Sequence, residues 1–111
     1  MENFMKSTIF VLFGAGGDLS CRLIVPALYN LHLDGHLPAN FLLLAVDRFE
    51  GNESPDYRDC IARHSRRGAP LDDPWAAFCS RIRSLSVDIT NPESFGKISE
   101  MLAERERAWG E

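Results

Sequence analysis

A glycine-rich segment between a buried strand and a helix is the feature that most restricts what this chain can fold into. Residues 8–13 read Thr-Ile-Phe-Val-Leu-Phe, a continuous apolar run that favours a parallel strand buried on both faces. The run ends at Gly-Ala-Gly-Gly at positions 14–17, and a helical pattern follows. Glycine lets a backbone turn tightly and approach a bound group, while a helix start offers free N–H groups. The segment therefore predicts a phosphate-binding loop.

The spacing of these glycines fits the dinucleotide fingerprint in part. Gly14 and Gly16 match the first two positions of G-x-G-x-x-G, but the third position is Leu19. The alternative spacing from Gly14 through Gly17 to Ser20 fits better, because it ends on a small residue. A strand-to-helix turn without a ligand is the other interpretation. The residues predicted to bind a cofactor here are Gly14, Ala15, Gly16, Gly17, Asp18 and Leu19.

Two charged side chains beside this loop each have two interpretations. Asp18 either takes part in the loop or caps the helix, as an acidic residue at such a turn often does. Arg22 lies one turn into the helix, where it either reaches a phosphate or is solvated.

The end of the second apolar strand, at residues 41–46, is the other position where such folds read their cofactor. A carboxylate there binds the ribose hydroxyls of NAD, whereas an arginine favours the 2′-phosphate of NADP. This chain carries both, as Asp47 and Arg48. A solvated strand end is the alternative for each, so the residues alone leave the cofactor open.

The remaining chain alternates helical and extended patterns. In the helix after the loop, Leu19, Leu23, Leu28 and Leu31 are predicted to face inward, with a kink or a fresh start near Pro26. Later helices are predicted to begin at Ser54-Pro55, Asp73-Pro74 and Asn91-Pro92. The residues at helical spacing are Tyr57, Ile61 and His64 in the first of these helices, then Trp75, Phe78, Cys79 and Ile82, and finally Phe95, Ile98 and Leu102. A short strand is predicted at residues 85–88, between the last two helices.

This order predicts an α/β domain: an incomplete, doubly wound parallel sheet of the Rossmann type, flanked by helices. With 111 residues and two clear strands, we expect the chain to be the first part of a dinucleotide-binding domain, leaving an open sheet edge.

Composition argues against several other classes of protein. The formal net charge of -4 disfavours nucleic acid as a partner, and the cluster of Arg63, His64, Arg66 and Arg67 is expected to end an exposed helix. No apolar run approaches the roughly 20 residues that span a bilayer. The three cysteines lack zinc spacing and are expected to be reduced and mostly buried. No metal ligands and no catalytic residues are predicted.

Several blocks of the sequence resemble one family. The segment G-A-G-G-D-L-S-C-R at positions 14–22, P-A-L-Y-N-L at 26–31 and G-H-L-P at 35–38 are similar to the opening of glucose-6-phosphate dehydrogenase. That family opens with G-A-S-G-D-L-A-x-R-K-L-x-P-A-L-Y, and its second strand ends in A-R. W-A-A-F at 75–78 and S-V-D-I-T-N-P-E-S-F at 86–95 resemble later family segments.

The resemblance implies an oxidoreductase that converts glucose 6-phosphate to 6-phosphogluconolactone with NADP, in the cytoplasmic pentose phosphate pathway. Arg48 would contact the 2′-phosphate of NADP, and Asp47, on the opposite side of the strand, would point away. Three departures stand out: Leu23 replaces a family lysine that faces cofactor and sugar phosphate, Gly16 replaces a hydroxyl residue, and Asp47 replaces a small residue. The family's substrate and catalytic segments match nothing in this chain, so we expect it to be inactive alone.

A second hypothesis is a fragment without catalysis. It would bind nucleotide weakly, or pack against a partner chain or a second copy that completes its sheet. A short-chain dehydrogenase or epimerase half-domain fits less well, because those proteins lack the P-A-L-Y block at 26–29.

Overall fold

The computed structural model describes residues 6–48, 56–88 and 90–110. These residues form a three-stranded parallel sheet and four α-helices. The strands are β1 (Thr8–Phe13), β2 (Phe41–Asp47) and β3 (Ile82–Ser86), and the helices are α1 (Val25–Leu33), α2 (Tyr57–His64), α3 (Asp72–Cys79) and α4 (Glu93–Trp109). The predicted α/β class is confirmed. The loop at residues 50–54 and the helix start at Ser54-Pro55 lie outside the described residues.

The central strand of the sheet is β2, because β1 pairs with one of its edges and β3 with the other. Residues 41–46 are all buried, as their apolar run predicts for a strand covered on both faces. The third strand was predicted at residues 85–88. It begins earlier, at Ile82, which the helical stripe had assigned to the preceding helix. Among the described residues, no strand pairs with the outer edge of β1, where Phe13 is 49% exposed.

Alternate residues of β2 pack into two separate cores. Leu43 and Ala45 face a core built with α1, α2 and α3, whereas Leu44 and Val46 face a core with Ile98 of α4. This alternation follows from the two-residue period of a strand. It also decides the direction of the next side chain, because Asp47 continues the series of Leu43 and Ala45.

The helix after the glycine loop changes its hydrogen-bond pattern just before Pro26, where a kink or a fresh start was expected, and its residues stay helical through this point. A π-helical turn spans Ser20–Ile24, and the Val25 amide donates to the Ser20 carbonyl. Pro26 then lies in the first turn of α1, directly after the π-helical turn.

The prediction of the inward-facing leucines was mostly wrong. Leu28 is buried, but Leu19 and Leu23 are each 58% exposed and Leu31 is 40% exposed. Val25 and Tyr29 are buried with Leu28 instead.

The cysteine prediction was also wrong. Cys21, in the π-helical turn, and Cys60, in α2, form a disulfide, and Cys79 is free but exposed. The burial of Cys60 and the free thiol of Cys79 agree with the expectation. The spacing of 39 residues could not reveal this pairing, because it depends on α2 packing against the π-helical turn.

Candidate dinucleotide-binding site

The glycine loop closes as a tight turn directly after β1. Gly14 has a φ of 70°, in the left-handed region that favours glycine, and the Gly17 amide donates to the Gly14 carbonyl at 2.9 Å. A Cβ atom at Gly17 would lie 3.1 Å from that same carbonyl oxygen. The Ser20 hydroxyl, which is buried, donates to it at 3.0 Å. Gly14, Gly17 and Ser20, the three positions of the alternative spacing, are therefore joined by hydrogen bonds within one turn.

The middle of the loop is held from both sides. Ala15 is buried, and its amide donates to the Val46 carbonyl at 3.2 Å. The Tyr57 hydroxyl donates to the Ala15 carbonyl at 2.8 Å, which joins α2 to the loop. Burial raises the pKa of Tyr57, and the nearby charge of Asp47 raises it further, so this hydroxyl stays a donor.

Tyr57 is a residue whose role sequence reasoning missed. Its periodicity marked it as a residue of the helix, and nothing in the sequence connects a position 42 residues away with the Ala15 carbonyl. The contact exists because α2 packs beside the π-helical turn that follows the loop.

The charged pair at the helix start has a defined arrangement. The Arg22 Nε lies 2.8 Å from an Asp18 carboxylate oxygen, and both side chains are more than half exposed. Asp18 and Arg22, one turn apart on the helix, thus form an ion pair with each other. Leu19 and Leu23 are exposed beside this pair. At Leu23, the position of the family lysine, the chain has an exposed apolar side chain.

The Asp47 carboxylate reaches into the glycine loop. Its Oδ2 accepts a hydrogen bond from the Gly16 amide at 2.8 Å, and its Oδ1 accepts one from the Arg48 amide at 2.7 Å. Asp47 was expected to point away, but its carboxylate lies against the glycine loop. The strand alternation that places Asp47 with Leu43 and Ala45 directs it to the face that carries the loop.

Arg48 follows Asp47 and is exposed. Hydrogen bonds from Thr90 lower the pKa of Asp88, and the charge of Arg48 lowers it further. The guanidinium thus acts on the carboxylate that follows β3. The structure brings residues 14–19 together with Asp47, and it places the charge of Arg48 near Asp88.

Together these features define a class of protein. A tight glycine turn joins a buried parallel strand to a helix start, and a carboxylate at the end of the next strand meets that turn. This is the arrangement of a dinucleotide-binding α/β domain. Among the described residues, no three His, Cys, Asp or Glu side chains are grouped to hold a metal ion. No described helix is both long and apolar enough to cross a membrane.

Residues 11–111 match the family model described as "Glucose-6-phosphate dehydrogenase, NAD binding domain". The chain belongs to the glucose-6-phosphate dehydrogenase family, within the NAD-binding domain of that family. The resemblance noted in the sequence is confirmed, and so is the Rossmann-like class of the sheet.

Relatives with this name include the glucose-6-phosphate 1-dehydrogenase of Zymomonas mobilis subsp. mobilis, which is 33% identical over 103 residues. That match covers 87% of this chain and 21% of the relative. The Mycolicibacterium smegmatis enzyme is 34% identical over 97 residues, covering 84% of this chain and 19% of the relative. The chain therefore spans about a fifth of the length of these curated relatives.

Solved structures agree with these relatives. A glucose-6-phosphate dehydrogenase in complex with glucose 6-phosphate superposes with a TM-score of 0.77 and 25% identity, covering 97% of this chain and 22% of that chain. The enzyme from Mycobacterium avium gives a TM-score of 0.71 at 24% identity, over 86% of this chain and 21% of that chain, which supports the fold.

Proposed function

We propose that this chain forms the cofactor-binding N-terminal part of a glucose-6-phosphate dehydrogenase. The observation that carries the proposal is the glycine loop, which is anchored on both sides and followed directly by a helix start. The whole reaction would oxidise glucose 6-phosphate to 6-phosphogluconolactone within the pentose phosphate pathway. Residues 1–111 would supply nucleotide binding, and no catalytic residue is assigned to them.

The residues present fit a nicotinamide dinucleotide. The absence of a side chain at Gly17 leaves the loop backbone open to a diphosphate, and the first-turn amides of the helix supply N–H donors and a partial positive charge. Gly14, Ala15, Gly16, Gly17, Asp18 and Leu19 are the proposed contact residues. When bound, the nicotinamide would accept a hydride from the sugar.

The choice between the two nicotinamide cofactors lies at the end of β2. The family resemblance favours NADP, with Arg48 at its 2′-phosphate, whereas the position of Asp47 favours a free ribose. Asp47 contacts the loop through the Gly16 amide and Arg48 is the next residue, so both are candidate contacts of the adenosine half.

Gly17→Ala tests the loop. The added Cβ would meet the Gly14 carbonyl at 3.1 Å, so the turn must shift, and we expect dinucleotide affinity to fall about 5- to 10-fold. Calorimetric titration would measure the affinity, and amide chemical shifts should move most at residues 14–20.

Gly96→Ala is the matched control, because a Cβ there meets nothing within 4 Å and Gly96 lies in α4. Its affinity should equal that of the wild type. Equal affinity in Gly17→Ala, or largest shifts around Trp75, would show that the ligand binds elsewhere.

The chain alone is expected to have no dehydrogenase activity. It spans about a fifth of the length of its relatives, and Leu23 occupies the position of the family lysine. A spectrophotometric assay with glucose 6-phosphate and either cofactor should show no formation of reduced nicotinamide. Turnover that Gly17→Trp abolishes would contradict this expectation.

A fragment that acts only by association is the second candidate. It is favoured by the outer edge of β1, where Phe10 is 37% and Phe13 49% exposed. A partner chain or a second copy would complete the sheet there. Light scattering over a concentration series would detect a second copy, and loss of association in Phe13→Lys would locate it.

Partners of other kinds are not proposed. The net charge is -4, and the basic cluster is partly neutralised, since Arg63 pairs with Asp59 at 2.8 Å and Arg67 with Asp34 at 2.9 Å. Nucleic acid is therefore a poor fit. We propose a cytoplasmic location on the basis of the family reaction, where the Cys21–Cys60 disulfide would be exposed to reductants.

A further inference from the structure

We propose that Asp47 makes this site select NAD over NADP, by accepting hydrogen bonds from the adenosine ribose and repelling a 2′-phosphate. This inference rests on the proposed binding of a dinucleotide at the glycine loop. It reverses the cofactor choice that the family resemblance implied through Arg48.

The position of the carboxylate is fixed by its surroundings. The backbone of Asp47 still belongs to the sheet, because it pairs with Ser86 and its carbonyl accepts from the Val87 amide at 3.0 Å. Its side chain is then held by the Gly16 amide at 2.8 Å. Strand and loop together hold this charge within the turn that would receive the dinucleotide.

The remaining bonding capacity of the carboxylate suits a ribose. An ionised carboxylate offers about four acceptor sites and no donor. The amides of Gly16 and Arg48 each take one site, so acceptor capacity is left for the hydroxyl groups of an unmodified ribose. A 2′-phosphate brings acceptors only, together with a charge of the same sign.

Arg48 is poorly placed to offset that repulsion. Arg48 lies outside β2, which ends at Asp47, and its side chain is exposed, so solvent and salt screen its charge. The charge of Arg48 acts instead on Asp88, beyond the end of β3. A 2′-phosphate bound there would still lie against the Asp47 carboxylate, which the Gly16 amide holds in the loop.

The test is calorimetric titration of the full chain with NAD and with NADP at one fixed salt concentration. Wild type should bind NAD about 10- to 100-fold more tightly than NADP, which is the range expected for hydrogen bonds to a charged acceptor. Asp47→Ala should weaken NAD and strengthen NADP, so that the ratio of the two Kd values falls to one or reverses. Arg48→Ala should leave NAD as the tighter ligand.

Two further variants guard against indirect effects. Asp47→Asn keeps an oxygen that can accept from the Gly16 amide but removes the charge, so it should still strengthen NADP. Glu100→Ala removes a carboxylate at an exposed position of α4 and should leave the ratio unchanged. A change in Asp47→Ala that Asp47→Asn does not share would mean that loop damage, not charge, sets the ratio, and would overturn the inference.

The outcomes separate this inference from the proposed function. Tighter binding of NADP by wild type, lost in Arg48→Ala, would overturn the inference and leave the proposed function standing. Binding of neither cofactor, or binding that Gly17→Ala does not weaken, would overturn the proposed function and this inference with it.

Discussion

Reduction of the Cys21–Cys60 disulfide is expected to lower the free energy of unfolding by about 4 kcal/mol, as chain entropy predicts for a loop of this length. The bond closes a segment whose ends are 39 residues apart. It links the π-helical turn that follows the glycine loop with α2, the helix that carries Tyr57. In the reduced chain, the unfolded state regains the freedom of that segment, while the packing of the folded state is unchanged.

Urea unfolding followed by tryptophan fluorescence, with and without a thiol reductant, would measure this difference. The double variant Cys21→Ser and Cys60→Ser should match the reduced wild type. Cys79→Ser is the matched control, because Cys79 is free and exposed, and it should keep the full response to the reductant. Identical unfolding curves for oxidised and reduced wild type would refute the stabilising role of the bond.

The parts of the fold that could be predicted from sequence depend on local patterns. The apolar runs at residues 8–13 and 41–46 became β1 and the buried β2, and Gly14 and Gly17 form the turn between strand and helix. The start of α4 directly after Asn91-Pro92 was equally local, since the Asn91 side chain accepts from the Glu93 amide. Each of these signals acts over a few residues.

The parts that could not be predicted depend on contacts between distant segments. Cys21 meets Cys60, and Tyr57 meets Ala15, because α2 packs beside the loop, which no periodicity encodes. Leu19 and Leu23 are exposed because the buried face of this helix carries other residues, namely Ser20, Val25, Leu28 and Tyr29. Spacing alone does not identify the face that packs on the sheet.

The direction of Asp47 shows how a resemblance can mislead at a single position. The family's A-R ending suggested that the loop face belongs to Arg48, but β2 ends at Asp47, so the expected alternation does not extend to Arg48. The two cores of the sheet decide the matter, since Asp47 continues the series that faces α1. Which face of the strand meets the loop depends on tertiary packing. Where Asp47 replaces a small family residue, it also brings a carboxylate to that face.

Phe78→Ala is expected to destabilise the chain by about 3–5 kcal/mol, the usual cost of removing a buried aromatic side chain. Phe78 is completely buried in the core between β2 and the helices on the loop face. Its ring centroid lies 5.2 Å from that of Tyr29 and 6.0 Å from that of Trp75, so α3 is joined to α1 through aromatic contacts. Alanine would leave a cavity between these rings and remove their edge contacts.

Phe95→Ala is the matched control for this substitution, because the same side chain is removed from a position in α4 that is 56% exposed. It should change the free energy of unfolding by at most about 0.5 kcal/mol. Both variants can be compared with wild type by urea unfolding, with Trp75 as a fluorescent reporter beside the altered site. A small domain is stable by about 5–15 kcal/mol, so Phe78→Ala should unfold at much lower urea or fail to fold at all. Equal losses in the two variants would show that α3 does not pack on the sheet through Phe78.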